Sequence, residues 1–245
     1  MNNLYLYGIF PAPGPQLQLE GLDHQPVQVQ LLDGFAFLYS QAQQDRYLAS
    51  RRNLLGHEKV LEQVMHAGYR TLLPLRFGLT IDTWETVSCQ LTTPHRDGLT
   101  QLFEHLNGRR EVGIKLFWDS AAELQALITE NADLKAQRDR LEGKALSMEQ
   151  IIEIGQTIEA AMNDRRSQII AAFQAELNEC AIAVVENDTL TEAMIYNAAY
   201  LIAWDAEFQF SQRIEALDQQ FEGRLKIRYN DFTAPYNFAQ LEQLN

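Results

Sequence analysis

The spacing of apolar and polar positions changes several times along the chain, and each change marks an element. Leu4-Tyr5-Leu6-Tyr7-Gly8-Ile9-Phe10 is a continuous apolar run closed by Pro11, Pro13 and Pro15. It predicts a buried strand followed by a turn-rich loop. Val27-Gln28-Val29-Gln30-Leu31 alternates, as a half-exposed strand does. Asp33-Gly34 predicts a tight hairpin turn into a return strand, Phe35-Ala36-Phe37-Leu38-Tyr39. From about Asp45 to Ala67 the period becomes helical, with Leu54, Leu55, Val60, Leu61, Val64 and Met65 mostly on one stripe and Gly68 as the stop. Leu72–Phe77 predicts another strand. A helix bearing Leu99, Leu102, Phe103 and Leu106 ends at Gly108, and Glu111–Trp118 is the last strand of this half. The order strand, hairpin, helix, strand, helix, strand predicts a modified ferredoxin-like α+β domain over residues 1–119.

Residues 120–245 read as a second α+β domain with a long helical hairpin. Leu124, Leu127, Asn131, Leu134, Arg138 and Leu141 alternate three and four apart, which is an a/d seam with Asn131 as a register-fixing polar position. Gly143 interrupts. Ser147 and Gln150 offer a capping box for a helix reaching about Asn178, with Ile151, Ile154, Ile158, Met162, Ile169, Phe173 and Leu177 inward. The short turn between the two predicts an antiparallel hairpin, and recruitment of another chain's helix by the seam is the alternative. Cys180–Glu186 predicts a strand. Ala193–Trp204 is apolar on both faces, as in a central strand, although its length also permits a helix. Asp205 is a candidate N-cap for a helix bearing Phe208, Ile214, Leu217 and Phe221, stopped by Gly223. Leu225–Tyr229 is the last strand. The halves echo each other weakly. Each ends in helix, glycine and a lysine-bearing strand, with Lys115 in one and Lys226 in the other.

Charge narrows the partners. Of the 245 residues 46% are hydrophobic, and the net charge is −13. Residues 1–119 hold 10 basic and 12 acidic side chains, whereas residues 120–245 hold 10 and 21, so the acidity belongs to the second half. Nucleic acid and anionic membranes are not expected partners, since both demand basic surface. No apolar run approaches the ~18 residues of a membrane span, and Met1-Asn2-Asn3-Leu4 lacks the basic segment of a signal peptide. Cys89 and Cys180 stand outside any motif and are expected to be reduced, buried thiols.

Candidate chemistry is sparse. No Cys/His cluster has metal spacing, and no phosphate-binding glycine motif or nucleophile elbow occurs, so no cofactor is expected. One constellation invites a catalytic reading, in which His57 acts as base with Arg76 and Lys115 as anion binders. The competing reading is structural, with Glu58 or a carbonyl satisfying Arg76 and His57 bridging helix to sheet. Tyr5, Tyr7, Phe10, Phe35, Phe37 and Tyr39 concentrate aromatics in the first sheet, mostly as core. The positions opposite them are a candidate apolar face for a partner.

Several segments together resemble the gas vesicle protein F/L family. They are Leu4-Tyr5-Leu6-Tyr7-Gly8-Ile9, His57-Glu58-Lys59-Val60-Leu61, Leu73-Pro74-Leu75-Arg76-Phe77-Gly78, Glu111-Val112-Gly113-Ile114-Lys115, Ala199-Tyr200-Leu201-Ile202 and Pro235-Tyr236-Asn237-Phe238. They cover nearly the whole chain in order. Ala234 and Asn237 depart from a tail that usually carries two prolines and a serine, and Val112 stands where the family often has an aromatic. The resemblance implies a non-enzymatic accessory protein, located at the gas vesicle within the cytoplasm. It implies binding of the small hydrophobic shell protein, contact with other accessory proteins, and limited aggregation while a vesicle nucleates. The structural or partner-binding candidates are Glu58, Pro74, Arg76, Phe77, Glu111, Lys115 and Tyr236. Arg76 and Lys115 are expected to anchor the first domain with Glu58 or Glu111 as counter-charges, and Pro74 to mark an irregular or edge strand open to a partner. The alternatives are a small-molecule enzyme or sensor using His57, Arg76 and Lys115, and a coiled-coil scaffold using residues 120–142.

Overall fold

The computed structural model describes residues 3–132, 134–136 and 147–241. They divide into two compact units: residues 1–112, 201–205 and 230–245, and residues 113–200 and 206–229. The units are discontinuous in sequence, whereas the division expected from sequence is a single border at 119/120.

The first unit is built on a five-stranded sheet. Strand β1 (Leu4–Pro11) pairs antiparallel with β3 (Phe35–Gln41), and β3 with β2 (Gln28–Leu32). Leu32 faces Phe35 across a two-residue turn in which Asp33 and Gly34 both have positive φ, the Asp-Gly solution to a tight hairpin. Helix α1 (Arg51–His66) starts at Ser50, whose side chain accepts from the Asn53 amide. This is later than the period change at Asp45, because the capping geometry fixes the first turn. It ends in a Schellman pattern at Gly68 (φ +99), with Tyr69 N–H on the Val64 carbonyl and Gly68 N–H on that of Met65.

The strand expected over Leu72–Phe77 is reduced to β4 (Leu73–Pro74). The chain leaves β1 after the Leu75 amide bonds the Tyr7 carbonyl and returns as β5 (Thr80–Ile81). Proline has no N–H for the ladder, which is why pairing lapses here and why β4 lies on an edge of the order β2-β3-β1-β4. Both faces of the sheet are covered. Tyr5, Tyr7, Phe10 and Leu38 pack with Val60, Leu61, Val64 and Met65 of α1. On the other face Phe37 and Tyr39 meet Trp84 of the short α2 (Trp84–Val87), and Phe35 stacks on Phe103 of α3 (Arg96–Leu106). Among the described residues the positions of β1 and β3 expected to present an apolar face to a partner are therefore covered. Cys89 is exposed, not buried. It lies on a π-turn (Ser88–Thr92) whose inward positions are the flanking Val87 and Thr92. Cys180 is half-buried, and both thiols are free.

The α+β class is as the sequence predicts, but the last strand expected in the first domain does not join its sheet. Strand β6 (Arg109–Trp118) joins a second sheet of order β7-β8-β6-β9, made with β7 (Ala183–Glu186), β8 (Met194–Ala203) and β9 (Leu225–Thr233). Bonds from Trp118 N–H to the Ala193 carbonyl and from Trp204 N–H to the Gly108 carbonyl fix β6 antiparallel to β8. A ten-residue strand finds a full ladder on ten-residue β8, which two-residue β4 does not offer. Nine of the ten β8 residues are buried, and this resolves the strand-or-helix ambiguity as strand.

In the second unit, α4 (Ser120–Glu130) is N-capped by Asp119, and α5 (Met148–Asn178) by the Ser147–Gln150 capping box. Helix α6 (Glu207–Gln220) is not capped by Asp205, which lies in a 3-10 turn before it. The helix that carries the seam is broken at Asn131. Asn131 leaves helical geometry, and its side chain accepts from the Leu134 amide, so it restarts a helix rather than filling a core position. Arg138, Leu141 and Gly143 lie outside the described residues. On α5, Ile169, Phe173 and Leu177 are buried as expected, but Ile151 is 52% exposed.

Candidate functional site

Of the seven candidate residues, the structure brings three together. Glu58 on α1, Glu111 on β6 and Tyr236 in the C-terminal tail form a buried lock in the first unit. Glu111 is 4% exposed. Its carboxylate accepts from the Asn237 backbone amide at 2.9 Å and from Asn237 Nδ2 at 2.6 Å. Glu58 accepts from the Tyr236 hydroxyl and, at 3.5 Å, from Thr233 Oγ1. Burial pushes Glu111 up to about 7, against the pull of the two Asn237 bonds and with a further push from Glu58. Burial also raises Glu58, with the Tyr236 hydrogen bond opposing and Glu62 adding to the rise. Tyr236 is raised by burial and by Glu58. Glu111 held this way carries a proton up to about pH 7 rather than a fixed charge, and the partners of both carboxyls are neutral donors. Ala234, Pro235 and Phe238 are buried around them. Asn237, noted in the sequence only as a departure from the family pattern, is the main partner of Glu111.

Arg76 and Lys115 do not supply the expected counter-charges. Both are exposed, and the lock's acceptors are occupied by Tyr236, Asn237 and Thr233. Among the described residues no ion pair involves Arg76 or Lys115. A guanidinium at the surface needs no buried partner, so the bulge after Pro74 simply turns Arg76 outward.

His57 is 2% exposed and belongs to a continuous hydrogen-bond chain. The Leu75 carbonyl only accepts, so His57 Nε2, 3.1 Å away, carries the proton. Nδ1 therefore accepts from the Tyr5 hydroxyl at 2.9 Å, while Tyr5 Oη accepts from the Gly78 amide at 3.0 Å. Burial drops His57 to about 4, with the Leu75 carbonyl acting in the opposite sense. Both ring nitrogens are thus committed to fastening the Leu75–Gly78 bulge, which carries Arg76 and Phe77, onto α1 and β1. Tyr7 performs a similar service for the first loop. It accepts from the Leu22 amide at 2.8 Å and bonds Ser40 Oγ at 2.9 Å. A Cβ on Gly21 would lie 2.1 Å from its hydroxyl oxygen.

The first unit also carries a ladder of stacked cations and rings. Arg70 and Arg110 lie 4.2 and 4.7 Å from the Trp204 ring, Arg110 lies 5.7 Å from Phe232, and His66 stacks on Phe232 at 4.0 Å. The Arg110 guanidinium also donates to the Asp231 carbonyl.

The second unit holds a buried ionic cluster that sequence reasoning missed. Glu123, 2% exposed, receives Arg165 Nε at 2.5 Å and Arg224 at 3.4 Å, and Arg165 also reaches Glu130 at 2.8 Å. Arg165 falls between Met162 and Ile169 on the apolar stripe of α5. A charge inside such a stripe was the available signal, because it demands a buried counter-charge. Among the described residues no three His, Cys, Asp or Glu side chains converge as a metal site requires, and no helix is long and apolar enough to cross a membrane.

Comparison with known proteins adds kinship to this geometry. A family model for gas vesicle synthesis protein GvpL/GvpF matches residues 3–240. Gas vesicle protein F of Dolichospermum flosaquae is 60% identical over 240 residues, covering 98% of both chains. The crystal structure of gas vesicle protein GvpF from Anabaena sp. PCC7120 superposes with a TM-score of 0.91 at 59% identity, covering 98% of this chain and 99% of that one. The crystal structure of GvpF from Microcystis aeruginosa gives 0.85 at 57%, covering 98% and 100%. The chain therefore belongs to the gas vesicle synthesis protein GvpL/GvpF family.

Proposed function

We propose that this protein is a non-catalytic accessory component of gas vesicles, acting at the vesicle within the cytoplasm. In this reading it binds the small hydrophobic shell protein, limits its aggregation while a vesicle nucleates and assembles, and touches other accessory proteins as it does so. The observation that carries the reading is kinship along the whole chain with proteins named gas vesicle protein F. Physical chemistry supports it. A shell subunit before assembly exposes apolar surface and unpaired strand edges, both aggregation hazards. The first unit has features suited to cover them. Strands β2 and β4 are sheet edges, and Leu31, Leu48, Leu54 and Leu55 are between 43% and 72% exposed. Pro74 lies in the β4 edge and Phe77 in the bulge that follows it. Arg76 is a surface cation of this unit and Lys115 one of the second, and Glu58, Glu111 and Tyr236 hold the tail that completes the first unit. A small-molecule enzyme using His57, Arg76 and Lys115 draws less support, because His57 has no free ring nitrogen.

The test is light scattering of purified shell protein diluted from denaturant, with and without this protein, beside co-sedimentation of the pair. Suppressed scattering and co-sedimentation at micromolar concentration are expected. Leu48→Glu/Leu54→Glu/Leu55→Glu, all exposed positions, should lose the effect while melting as the parent does. Unchanged scattering with no co-sedimentation would sink the proposal.

A further inference from the structure

The second unit, although it lies in the acidic half of the chain, carries a concentrated cationic strand. Of the 10 basic residues in positions 120–245, three are Arg224, Lys226 and Arg228. Lys226 and Arg228 are exposed and alternate on one face of β9, and the Arg224 side chain is 38% exposed. Strand β9 ends the order β7-β8-β6-β9, so among the described residues one side of its backbone has no neighbouring strand. Arg228 lies 4.9 Å from the Phe117 ring, which places Phe117 on the same face as Arg228. Lys115, two residues before Phe117, shares that face by strand alternation and is exposed. A groove of about 390 Å³ runs here, lined by Phe117, Trp118, Arg224, Lys226 and Arg228 among others. The indole N–H of Trp118 is shielded from solvent and has no acceptor among the described residues.

The acidic neighbours do not neutralise this face. The Asp119 carboxylate is engaged by the Ala121 and Ala122 amides at the head of α4. Glu123 draws on Arg224 alone among the groove's cations and is already held by Arg165. Lys115, Lys226 and Arg228 are in no ion pair among the described residues.

We propose that the β9 edge binds an extended, acidic polypeptide segment of a partner protein by strand addition. The open backbone edge takes the segment's main-chain hydrogen bonds, and its alternate carboxylates meet Arg224, Lys226 and Arg228, with Lys115 and Phe117 beside them. Charge selects this occupant over the others. A second copy's β9 would set cation against cation, which is how basic edge strands avoid self-pairing. A nucleic acid or an anionic membrane presents a long-range field to a chain of net charge −13 and is repelled. A short acidic strand approaches within about 10 Å, where the local cations are felt and the distant carboxylates are screened. The surface belongs to the second unit and the exposed leucines assigned to the shell protein belong to the first, so the two proposals rest on different residues and fail independently.

Fluorescence anisotropy of the full chain with a labelled ten-residue peptide alternating threonine and glutamate tests the idea. Saturable binding is expected that weakens at least about tenfold between about 50 and 300 mM salt. Replacing glutamate by glutamine, or N-methylating the amides that face β9, should weaken it about tenfold or more. Lys226→Glu/Arg228→Glu should do the same while leaving the melting temperature unchanged, since both side chains are exposed. Equal binding of the glutamate and glutamine peptides, or unaltered binding by the double variant, overturns the proposal. Full affinity of the N-methylated peptide overturns strand addition. Tighter binding of single-stranded DNA or anionic vesicles than of the peptide overturns the choice of a polypeptide, and mass doubling that depends on Lys226 and Arg228 overturns the exclusion of a second copy.

Discussion

Glu111 and Glu123 are 4% and 2% exposed, and the two units keep them by different means. In the first unit Glu111 meets neutral donors, two from Asn237, and burial holds its proton on up to about pH 7. In the second unit Glu123 meets two arginines, one at 2.5 Å. The difference teaches that burial alone does not decide a carboxyl's state. A buried acid with only amide partners lowers its cost by staying protonated, whereas one packed against guanidinium depends on that pair for compensation. The first arrangement responds to pH and the second to loss of a partner.

The comparison predicts its largest break at Arg165. Arg165→Ala leaves Glu123 with only the longer Arg224 contact, and a loss of about 3–5 kcal/mol is expected, read as a lower denaturant midpoint at an unchanged slope. A loss under about 1 kcal/mol would show that Glu123 copes as Glu111 does.

The next effect is one of pH. Glu111 rises from 4.5 unfolded to about 7 folded. The folded chain therefore holds a proton that the unfolded chain releases, and stability falls as pH rises through that window, by about 3 kcal/mol in all. His57 drops from 6.5 unfolded to about 4 folded, so stability is lost as pH falls from 6.5 towards 4, by a similar amount. Between pH 4.5 and 6.5 these two slopes oppose each other and nearly cancel. Glu111→Gln removes one of them, and its stability should rise by about 3 kcal/mol across that interval. A flat profile in the variant would refute the assignment.

Asn237→Ala should cost about 2 kcal/mol by leaving a buried acceptor without its donor, and should move the Glu111 titration further upward, as followed by carboxyl NMR shifts. Glu130→Gln marks the lower end of the scale. Its partner is the same Arg165, but Glu130 is 60% exposed, so solvent screens the pair and no measurable change in melting is expected. A clear loss there would mean that Glu123, Glu130 and Arg165 act as one network.

Much of the architecture was legible in the residues. The apolar run at Leu4, the Asp33-Gly34 turn, the Ser147–Gln150 capping box and the stop at Gly68 each carry their own local cause, and each stands where the spacing places it. Of the lock, Glu58, Glu111 and Tyr236 were nameable from their motifs. Their mutual contact was not, because Asn237 lies 126 positions from Glu111 and no periodicity spans that distance. The seam misled for a related reason. Heptad spacing chose Leu124, whereas the fold buries Glu123, since Arg165 of α5 offered a charge that only a neighbouring acid satisfies.

The sequence by itself determined the elements, the α+β class and the family, because turns, caps, periodicity and motif order are properties of short stretches. Tertiary structure alone decided that β6 leaves the first sheet for a partner of equal length. It alone committed both nitrogens of His57 to structural partners, turned Arg76 to solvent, and placed Arg224, Lys226 and Arg228 on an unpaired edge. Those outcomes depend on which distant segments meet, and desolvation and strand pairing acquire their energies only once they have met.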